Sequence, residues 1–323
     1  WTPVLEACEY LVTYSARIIT DIDALRKIMK EEKPNVVLQR ASIGGRQHHF
    51  FLMAHLASQL GIKSIELQHA GAVFDPRSIH SHLETSLLAA YGEIEREQYS
   101  LNGYVPERIV SVGSPRFDQY RQNAERFSKK KVETLKLLGL SHLKKVLMVA
   151  VPAEQIGLSA LSFSSYDIAA FFLEMRQVQL VLPETQFIFK FRQIPGTEGC
   201  RAYVQELFPE GDIAMIDGDP YPLICASDVV VSGNSTIMYE AMISSRLLVL
   251  SPWKTWDYNL GLYGAVAPYV RSGADLAGVL EGIFSDSSHA QDIVNKQQLF
   301  MNRHAFDGHS VERTVALLRR GIF

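Results

Sequence analysis

The sequence predicts an α/β protein made of two doubly wound domains, each with a parallel β-sheet covered by helices. Short segments rich in Val, Ile and Leu alternate with longer segments of helical periodicity, which favours parallel sheets joined by crossover helices. The chain has 323 residues, 47% of them hydrophobic and 21% charged, which suits two globular domains with buried cores. We expect the domains to face each other across a cleft formed by the carboxyl ends of both sheets, the usual ligand site of such folds.

The first predicted domain covers residues 1–124, with a linker over 125–144. Its elements are a helix over 9–30 that ends at Lys33 and Pro34, a strand over 35–39, a helix over 46–60 that ends at Gly61, and strands over 64–68, 87–91 and 108–112. The polar run 119–136 fits either a linker or a helix with a solvated face, and both interpretations stay open.

The second predicted domain covers residues 145–300, followed by a closing helix within 301–323. Its predicted strands cover 146–151, 186–192, 212–216, the residues from 228 onward, and 247–250; its predicted helices cover 166–182, 221–226 and 274–284, and the closing helix covers 311–320.

The most informative segment, residues 226–250, predicts a strand, a turn of small residues and a helix in immediate succession. The turn consists of Gly233, Asn234, Ser235 and Thr236. Unpaired backbone N–H groups at a helix start, together with the two hydroxyls, suit a phosphate oxygen. Glu240 lies just over one turn into the helix, on the side that a bound ribose would reach. The alternative is that Asn234 or Ser235 simply caps the helix.

The composition argues against several classes of protein. A net charge of −3 provides no broad basic surface, so we expect no nucleic-acid partner. Three widely spaced cysteines predict neither a disulfide framework nor a zinc site. Apolar runs stay below the roughly 18 residues of a membrane span. Walker-type and Gly-x-Gly-x-x-Gly sequences are absent, which argues against an ATPase or a common dinucleotide-dependent dehydrogenase. We expect a cytoplasmic protein.

Five short motifs carry a resemblance to a known family: Gln68-His69 after a strand, Gly113-Ser114-Pro115-Arg116-Phe117-Asp118, Asp219-Pro220-Tyr221 before a helix, Ser235-Thr236 with Glu240, and Asp307-Gly308-His309-Ser310-Val311-Glu312-Arg313. Over residues 32–320 the chain resembles the GT-B glycosyltransferases that synthesise bacterial capsule and lipopolysaccharide. In pattern it is also similar to the CDP-glycerol glycerophosphotransferases and, more distantly, to the UDP-N-acetylglucosamine 2-epimerases. The resemblance implies a GT-B-like fold of two Rossmann-like domains.

The implied activity is metal-independent transfer of a sugar from a CMP-, CDP- or UDP-linked donor to a bacterial surface glycan. The acceptor would be a glycan or a lipid-linked glycan, with no cofactor, and peripheral association with the inner face of the membrane stays open. Asp217-Gly218-Asp219 is the one plausible imitation of a metal-binding Asp-x-Asp, and we expect no metal. A nucleotide-sugar epimerase or hydrolase and a noncatalytic carbohydrate-binding domain are the alternatives.

The resemblance also assigns roles to residues of the second domain. The donor phosphates would lie against Gly233–Thr236 and the ribose against Glu240. Relatives carry a Lys-x-His-Pro-like sequence at the end of the preceding strand, whereas this chain has Lys190 and Arg192 there without the His. Both cations would contact a phosphate, the arginine as a fork; exposed strand-end charge is the alternative.

Inverting sugar transfer needs a base to deprotonate the acceptor hydroxyl, and this base is expected in the first domain. The candidates are His69, Asp75 and Glu93, with His69 preferred because an imidazole exchanges protons near neutral pH. Arg116 and Asp118 are expected to organise the junction between the domains, with direct ligand contact as the alternative. The first predicted strand begins only at residue 35, so both an abbreviated first domain and missing upstream sequence stay open.

Overall fold

The computed structural model describes residues 2–40, 48–69, 83–151, 168–191, 198–209, 211–233, 235–251 and 263–321. The chain divides into two compact units. Unit 1 comprises Trp1–Pro115 with His309–Phe323, and unit 2 comprises Arg116–Gly308. The boundaries predicted from the sequence, at 124, 144 and 300, stay predictions about domains.

Unit 1 is built around a sheet of parallel strands. Its elements up to residue 111 are α1 (Thr2–Glu32), β1 (Val36–Gln39), α2 (His48–Gln59), β2 (Lys63–Leu67), β3 (Leu87–Ala90), α3 (Glu93–Leu101) and β4 (Ile109–Ser111). The four strands pair in parallel in chain order, β1-β2-β3-β4. Gly61 ends α2 as expected: with φ of 69° it lets the Ile62 N–H bond the Ala57 carbonyl at 2.8 Å, a turn that a left-handed residue makes possible.

Unit 2 contains a five-stranded parallel sheet with helices between the strands. Its elements are α4 (Pro115–Lys129), α5 (Lys131–Leu137), β5 (Lys145–Ala150), α6 (Ile168–Val181), β6 (Thr185–Lys190), α7 (Glu198–Leu207), β7 (Ile213–Ile216), α8 (Pro220–Ala226), β8 (Val229–Ser232), α9 (Ile237–Ile243), β9 (Leu247–Leu250), α10 (Gly273–Ser285) and α11 (Ser287–Met301). The strand order is β7-β6-β5-β8-β9, all parallel.

The core of unit 2 explains why its strands read as continuous apolar runs. Strands β5, β6 and β8 are buried on both faces, as parallel strands between helices must be. Phe172 of α6 and the neighbouring rings Phe187 and Phe189 of β6 are completely buried, and the last two stack with centroids 5.5 Å apart. This packing holds the ends of β5, β6 and β8 in fixed positions.

The last described helix, α12 (Ser310–Gly321), belongs to unit 1 although it follows unit 2 in the chain. Arg313 Nε donates to the Val112 carbonyl at 3.0 Å, and Leu317 and Leu318 pack against a cluster formed by Ile65, Ala89 and Val112. The closing helix predicted over 311–320 is therefore confirmed as a helix.

All nine predicted strands are confirmed, with ends within two residues of the prediction where the structure describes them. Three helices were not predicted: α3, α7 and α11. The polar run 119–136, for which two interpretations were open, lies in helices α4 and α5.

Candidate functional site

The strand order of unit 2 identifies where a ligand is expected in this unit. From β5 the chain adds β6 and β7 on one side, then returns to add β8 and β9 on the other side. In open parallel sheets, ligands bind beyond the carboxyl ends of the strands, at the point where the order reverses. That point lies between β5 and β8, so the residues after Ser232 are the first candidates.

The turn after β8 has the predicted strand–turn–helix layout. Ser232 is buried and its hydroxyl donates to the Gly233 carbonyl at 3.0 Å. Gly233, Ser235 and Thr236 are partly exposed, and Thr236 precedes α9 without capping it by its side chain. The Met238 N–H donates to the Ser235 carbonyl and the Tyr239 N–H donates to the Thr236 carbonyl, both at 3.1 Å, so these two N–H groups are not available to a ligand. Asn234 lies outside the described residues.

Glu240 occupies an unexpected environment for a ribose-binding residue. The residue is only 1% exposed, and Arg116 donates a hydrogen bond from Nη2 to its Oε1. The other carboxylate oxygen, Oε2, is buried and has no hydrogen-bond partner among the described residues. The ribose contact expected for Glu240 stays a prediction, and in this structure a guanidinium occupies one carboxylate oxygen.

Electrostatics around Glu240 reflect both its burial and its charged neighbours. Burial raises the pKa of the Glu240 carboxyl above its usual value, while the adjacent Arg116 guanidinium lowers it. Asp219 raises the same pKa and Lys190 lowers it, more weakly. The end of β6, the start of α4 and the residue before α8 therefore bring Lys190, Arg116 and Asp219 within electrostatic reach of Glu240 on α9.

Of the two predicted cations, the structure describes Lys190, whereas Arg192 lies outside the described residues. The predicted junction residues Arg116 and Asp118 both belong to unit 2. Lys190 ends β6, is partly exposed, and donates to the Phe191 carbonyl at 2.5 Å. Arg116 begins unit 2, and its side chain is 49% exposed. Asp118 is buried in α4.

The predicted base residues all belong to unit 1. His69 follows β2 and is partly buried; the preceding Gln68 accepts a hydrogen bond from the Tyr91 N–H at 2.8 Å, which ties the end of β2 to that of β3. Glu93 begins α3, where it accepts a hydrogen bond from the Ser111 hydroxyl at 2.6 Å and pairs with Arg96. Asp75 lies outside the described residues.

Ser251 is a site feature that the sequence analysis missed. It directly follows β9, its N–H bonds the Ser232 carbonyl at 2.9 Å, and its buried hydroxyl has no hydrogen-bond partner among the described residues. A Cβ added to Gly233 would meet the Ser251 carbonyl at an ordinary 3.5 Å. A lone serine after an apolar strand gave no sequence signal, because strand ends commonly carry such residues.

The Asp-x-Asp-like sequence has other roles in the structure. Asp217 pairs with Arg201 at 3.3 Å, and Asp219 caps α8 by accepting from the Tyr221 N–H at 3.0 Å. In the described part of the chain, no group of three or more His, Cys, Asp and Glu side chains is placed to hold a metal ion. None of the described helices combines the length and apolarity that crossing a membrane requires.

No protein-family model and no curated protein matches this sequence. Solved structures do match its fold. A Neisseria meningitidis UDP-GlcNAc 2-epimerase bound to UDP-GlcNAc aligns with a TM-score of 0.66 and 14% identity over 93% of this chain and 80% of that chain. The Methanocaldococcus jannaschii UDP-GlcNAc 2-epimerase in complex with UDP-GlcNAc and UDP gives 0.62 and 18%, over 93% and 80%.

A variant of the wall teichoic acid polymerase TagF is also similar in structure, with a TM-score of 0.57 and 14% identity over 89% of this chain and 73% of that chain. At such identities the likeness concerns the fold. The chain has two parallel sheets with interleaved helices, and this confirms the predicted α/β, GT-B-like fold class.

Proposed function

We propose that this protein is an enzyme that binds a CMP-, CDP- or UDP-linked sugar through unit 2 and transfers the sugar to a bacterial surface glycan without a metal ion. The observation that carries the proposal is the position of the turn that holds Gly233, Ser235 and Thr236, at the reversal of strand order in unit 2, where the Thr236 hydroxyl accepts a hydrogen bond from Arg116. Lys190 lies within electrostatic reach of Glu240 in the following helix. The structural neighbours with UDP-GlcNAc or UDP bound support a nucleotide-sugar ligand for this fold.

The proposed chemistry needs positive charge where the donor phosphate departs. Arg116 and Lys190 supply this charge as fixed side chains, and such preorganised groups stabilise a developing negative charge without reorganisation. This is the work that a divalent cation performs in metal-dependent transferases, so the proposed reaction uses neither a metal nor a cofactor.

The acceptor hydroxyl must lose a proton, and we propose His69 of unit 1 as the base. Glu93 is less suitable because its carboxylate already accepts from Ser111 and pairs with Arg96. Asp75 stays a candidate on the sequence alone. The acceptor is proposed to be a glycan or lipid-linked glycan of the capsule or lipopolysaccharide class, used in the cytoplasm at the inner face of the membrane.

Epimerisation of the nucleotide sugar is the second candidate, because solved epimerases are among the structural neighbours. It differs in requiring no acceptor. A noncatalytic carbohydrate-binding domain is the third, and it predicts binding without turnover.

The first experiment measures binding of CMP, CDP, UDP, GDP and their sugar conjugates by calorimetry and thermal shift. We expect one nucleotide to bind the wild type selectively and Gly233→Ala to weaken it about tenfold or more, because a methyl group displaces a phosphate that approaches the backbone. The new methyl makes only ordinary contact with Ser251, so the variant should fold. Gly278→Ala, whose added Cβ meets nothing within 4 Å, is the matched control. Absence of binding by every nucleotide and conjugate would refute the donor site.

The second step follows the product with the donor identified in that panel. Release of the nucleotide that depends on an acceptor oligosaccharide indicates transfer. A sugar that is still attached to the nucleotide but has an inverted configuration at one carbon indicates epimerisation. Binding without turnover indicates a noncatalytic domain. For transfer, His69→Ala should lower kcat about 100-fold or more while leaving donor affinity unchanged, as expected for loss of a general base. Unchanged kcat would remove His69 from the mechanism.

A further inference from the structure

The pairing of Arg116 with Glu240 joins residues 124 positions apart, and its geometry is unusual for a surface ion pair. The Glu240 side chain is 2% exposed, whereas the Arg116 side chain is half exposed. Burying a carboxylate is unfavourable unless it is paired and hydrogen-bonded, and here the described residues satisfy only one of its two oxygens. A purely structural role of the pair would not explain why one buried oxygen of Glu240 lacks a partner among the described residues.

Within the described part of the chain, the Arg116 guanidinium makes hydrogen bonds through one of its three nitrogens. Nη2 donates both to Glu240 and to the Thr236 hydroxyl, the latter at 3.2 Å, and the guanidinium carbon lies 5.0 Å from the centre of the Phe117 ring. Nε and Nη1 make no hydrogen bond to any residue that the structure describes. Because the group is planar and rigid, fixing one edge also fixes the direction of the other.

The charges around this group balance, so an anion is favoured here by the direction of the guanidinium donors and not by net charge. Glu240 offsets one positive charge from the buried side, and Lys190 adds a second cation nearby. Among the described residues, the Asp219 carboxylate also acts on Glu240, and it accepts a hydrogen bond from the Tyr221 N–H at the start of α8. Arginine forks bind phosphate oxygens in pairs, with charge-assisted hydrogen bonds that exceed neutral ones in strength.

We propose that Glu240 is a positioning residue that holds Arg116 with its unused edge outward, and that this edge binds the phosphate groups of the nucleotide ligand. The inference rests on the proposed function for the identity of the ligand, and it assigns Glu240 a role different from the ribose contact. Glu240 then acts on affinity only through Arg116 and only for ligands that carry phosphate.

The test measures calorimetric affinity for inorganic pyrophosphate, for UDP and CDP, and for the phosphate-free nucleosides uridine and cytidine. The variants are Arg116→Gln, Glu240→Gln and the double variant. Arg121→Gln, an exposed arginine on the same helix, controls for the loss of one positive charge. Circular dichroism confirms that each variant is folded, and Arg116→Lys, which keeps the charge but loses the fork, provides a milder second variant.

We expect each single variant to weaken pyrophosphate and diphosphate binding about tenfold to a hundredfold, the effect of losing a charge-assisted contact. The double variant should be no more than about twofold worse than Arg116→Gln, because residues that act as one unit are not additive. Arg116→Lys should weaken binding to an intermediate extent. The affinities for uridine and cytidine should be unchanged in all variants. Arg121→Gln should bind every ligand with wild-type affinity.

Three results would overturn the inference. Nucleoside affinity that falls in Glu240→Gln as much as diphosphate affinity would indicate the ribose contact instead. Additive losses in the double variant would separate the two residues, and pyrophosphate affinity unchanged in Arg116→Gln would remove the anion site. If pyrophosphate binds through Arg116 while no nucleotide or conjugate binds better than pyrophosphate, the proposed function fails and the anion site stands.

Discussion

Glu240 is a buried carboxylate whose ionisation depends on its burial and on its charged neighbours. Its burial disfavours the ionised form, and Arg116 favours it. The pair therefore holds a charge inside the protein that would be more stable in water, which is a common property of functional sites. The groups that act on this carboxylate come from α4, β6 and the segment before α8: Arg116, Lys190 and Asp219.

The buried Glu240 carboxyl makes the stability of the protein depend on pH. Burial raises the pKa of the Glu240 carboxyl above its ordinary value of 4.5, so above pH 4.5 the folded protein holds a proton that the unfolded chain has released. Wild-type stability should fall as pH rises from 4.5 through the raised folded pKa, and this contribution should be absent in Glu240→Gln. Chemical denaturation of both proteins between pH 4 and 8 measures it.

As pH rises, we expect the free energy of unfolding of Glu240→Gln to increase relative to that of the wild type. Glu281→Gln, an exposed carboxylate on α10, controls for the loss of one negative charge. A difference between wild type and Glu240→Gln that stays constant across the range would show that burial does not govern this carboxyl.

At the residue scale, the sequence predicted features formed by neighbouring residues and missed contacts between residues far apart in the chain. The turn from Gly233 to Thr236 was predictable because strand, turn and helix signals are adjacent in the chain. The Arg116–Glu240 pair was not, since both residues were noticed separately but no periodicity relates positions 124 residues apart. The buried Ser251 hydroxyl was missed because a lone serine after a strand carries no sequence signal of its own.

At the scale of elements, burial patterns decided which predictions succeeded. Strands β5, β6 and β8 are apolar along their whole length because helices cover both faces, and such runs are easily recognised. Helices α3 and α11 place polar side chains at buried positions, Glu95 in the first and Gln297 in the second, which interrupts the apolar periodicity. The Gln297 amide donates to the Leu248 carbonyl at 3.2 Å, a tertiary contact that no local sequence pattern indicates.

The packing of α10 on α6 gives a prediction at this scale. Gly273, the first residue of α10, donates its N–H to the Glu174 carboxylate, and an added Cβ would lie 2.5 Å from the Glu174 carbonyl oxygen and 2.8 Å from its carboxylate. Gly273→Ala should therefore destabilise unit 2 by about 1–3 kcal/mol, as overpacking does.

Gly278→Ala in the same helix is the matched control, since its Cβ meets nothing within 4 Å and the residue is exposed. It should be neutral or stabilising by up to about 1 kcal/mol, because alanine favours helix over glycine. Urea unfolding of the two variants measures the difference, and equal stabilities would show that α6 and α10 separate easily.

At the scale of the whole molecule, the topology explains both the candidate site and the return of the last helix. Because the strand order of unit 2 reverses between β5 and β8, a ligand is expected at the carboxyl end of β8. Unit 1 has its described strands in chain order and is completed by α12 from the far end of the sequence. The alternation of strands and helices predicted the fold class. The strand order was known only from the structure, because no local sequence pattern indicates which strands are neighbours.

The role of α12 leads to a prediction for the two units. Leu318 packs against the cluster of Ile65, Ala89 and Val112 in unit 1, so Leu318→Ala should remove apolar contact there and destabilise unit 1 by about 1–3 kcal/mol, at the low end for a partly buried leucine. Backbone amides of β3 and β4 should exchange hydrogen faster, while those of β5 and β8 keep their protection, because local opening follows the packing of each unit. Val315→Ala, at an exposed position of the same helix, should leave both sets unchanged. Faster exchange in both sheets would instead mean that the two units open as one cooperative body, and unchanged exchange in β3 and β4 would mean that α12 contributes nothing to the stability of unit 1.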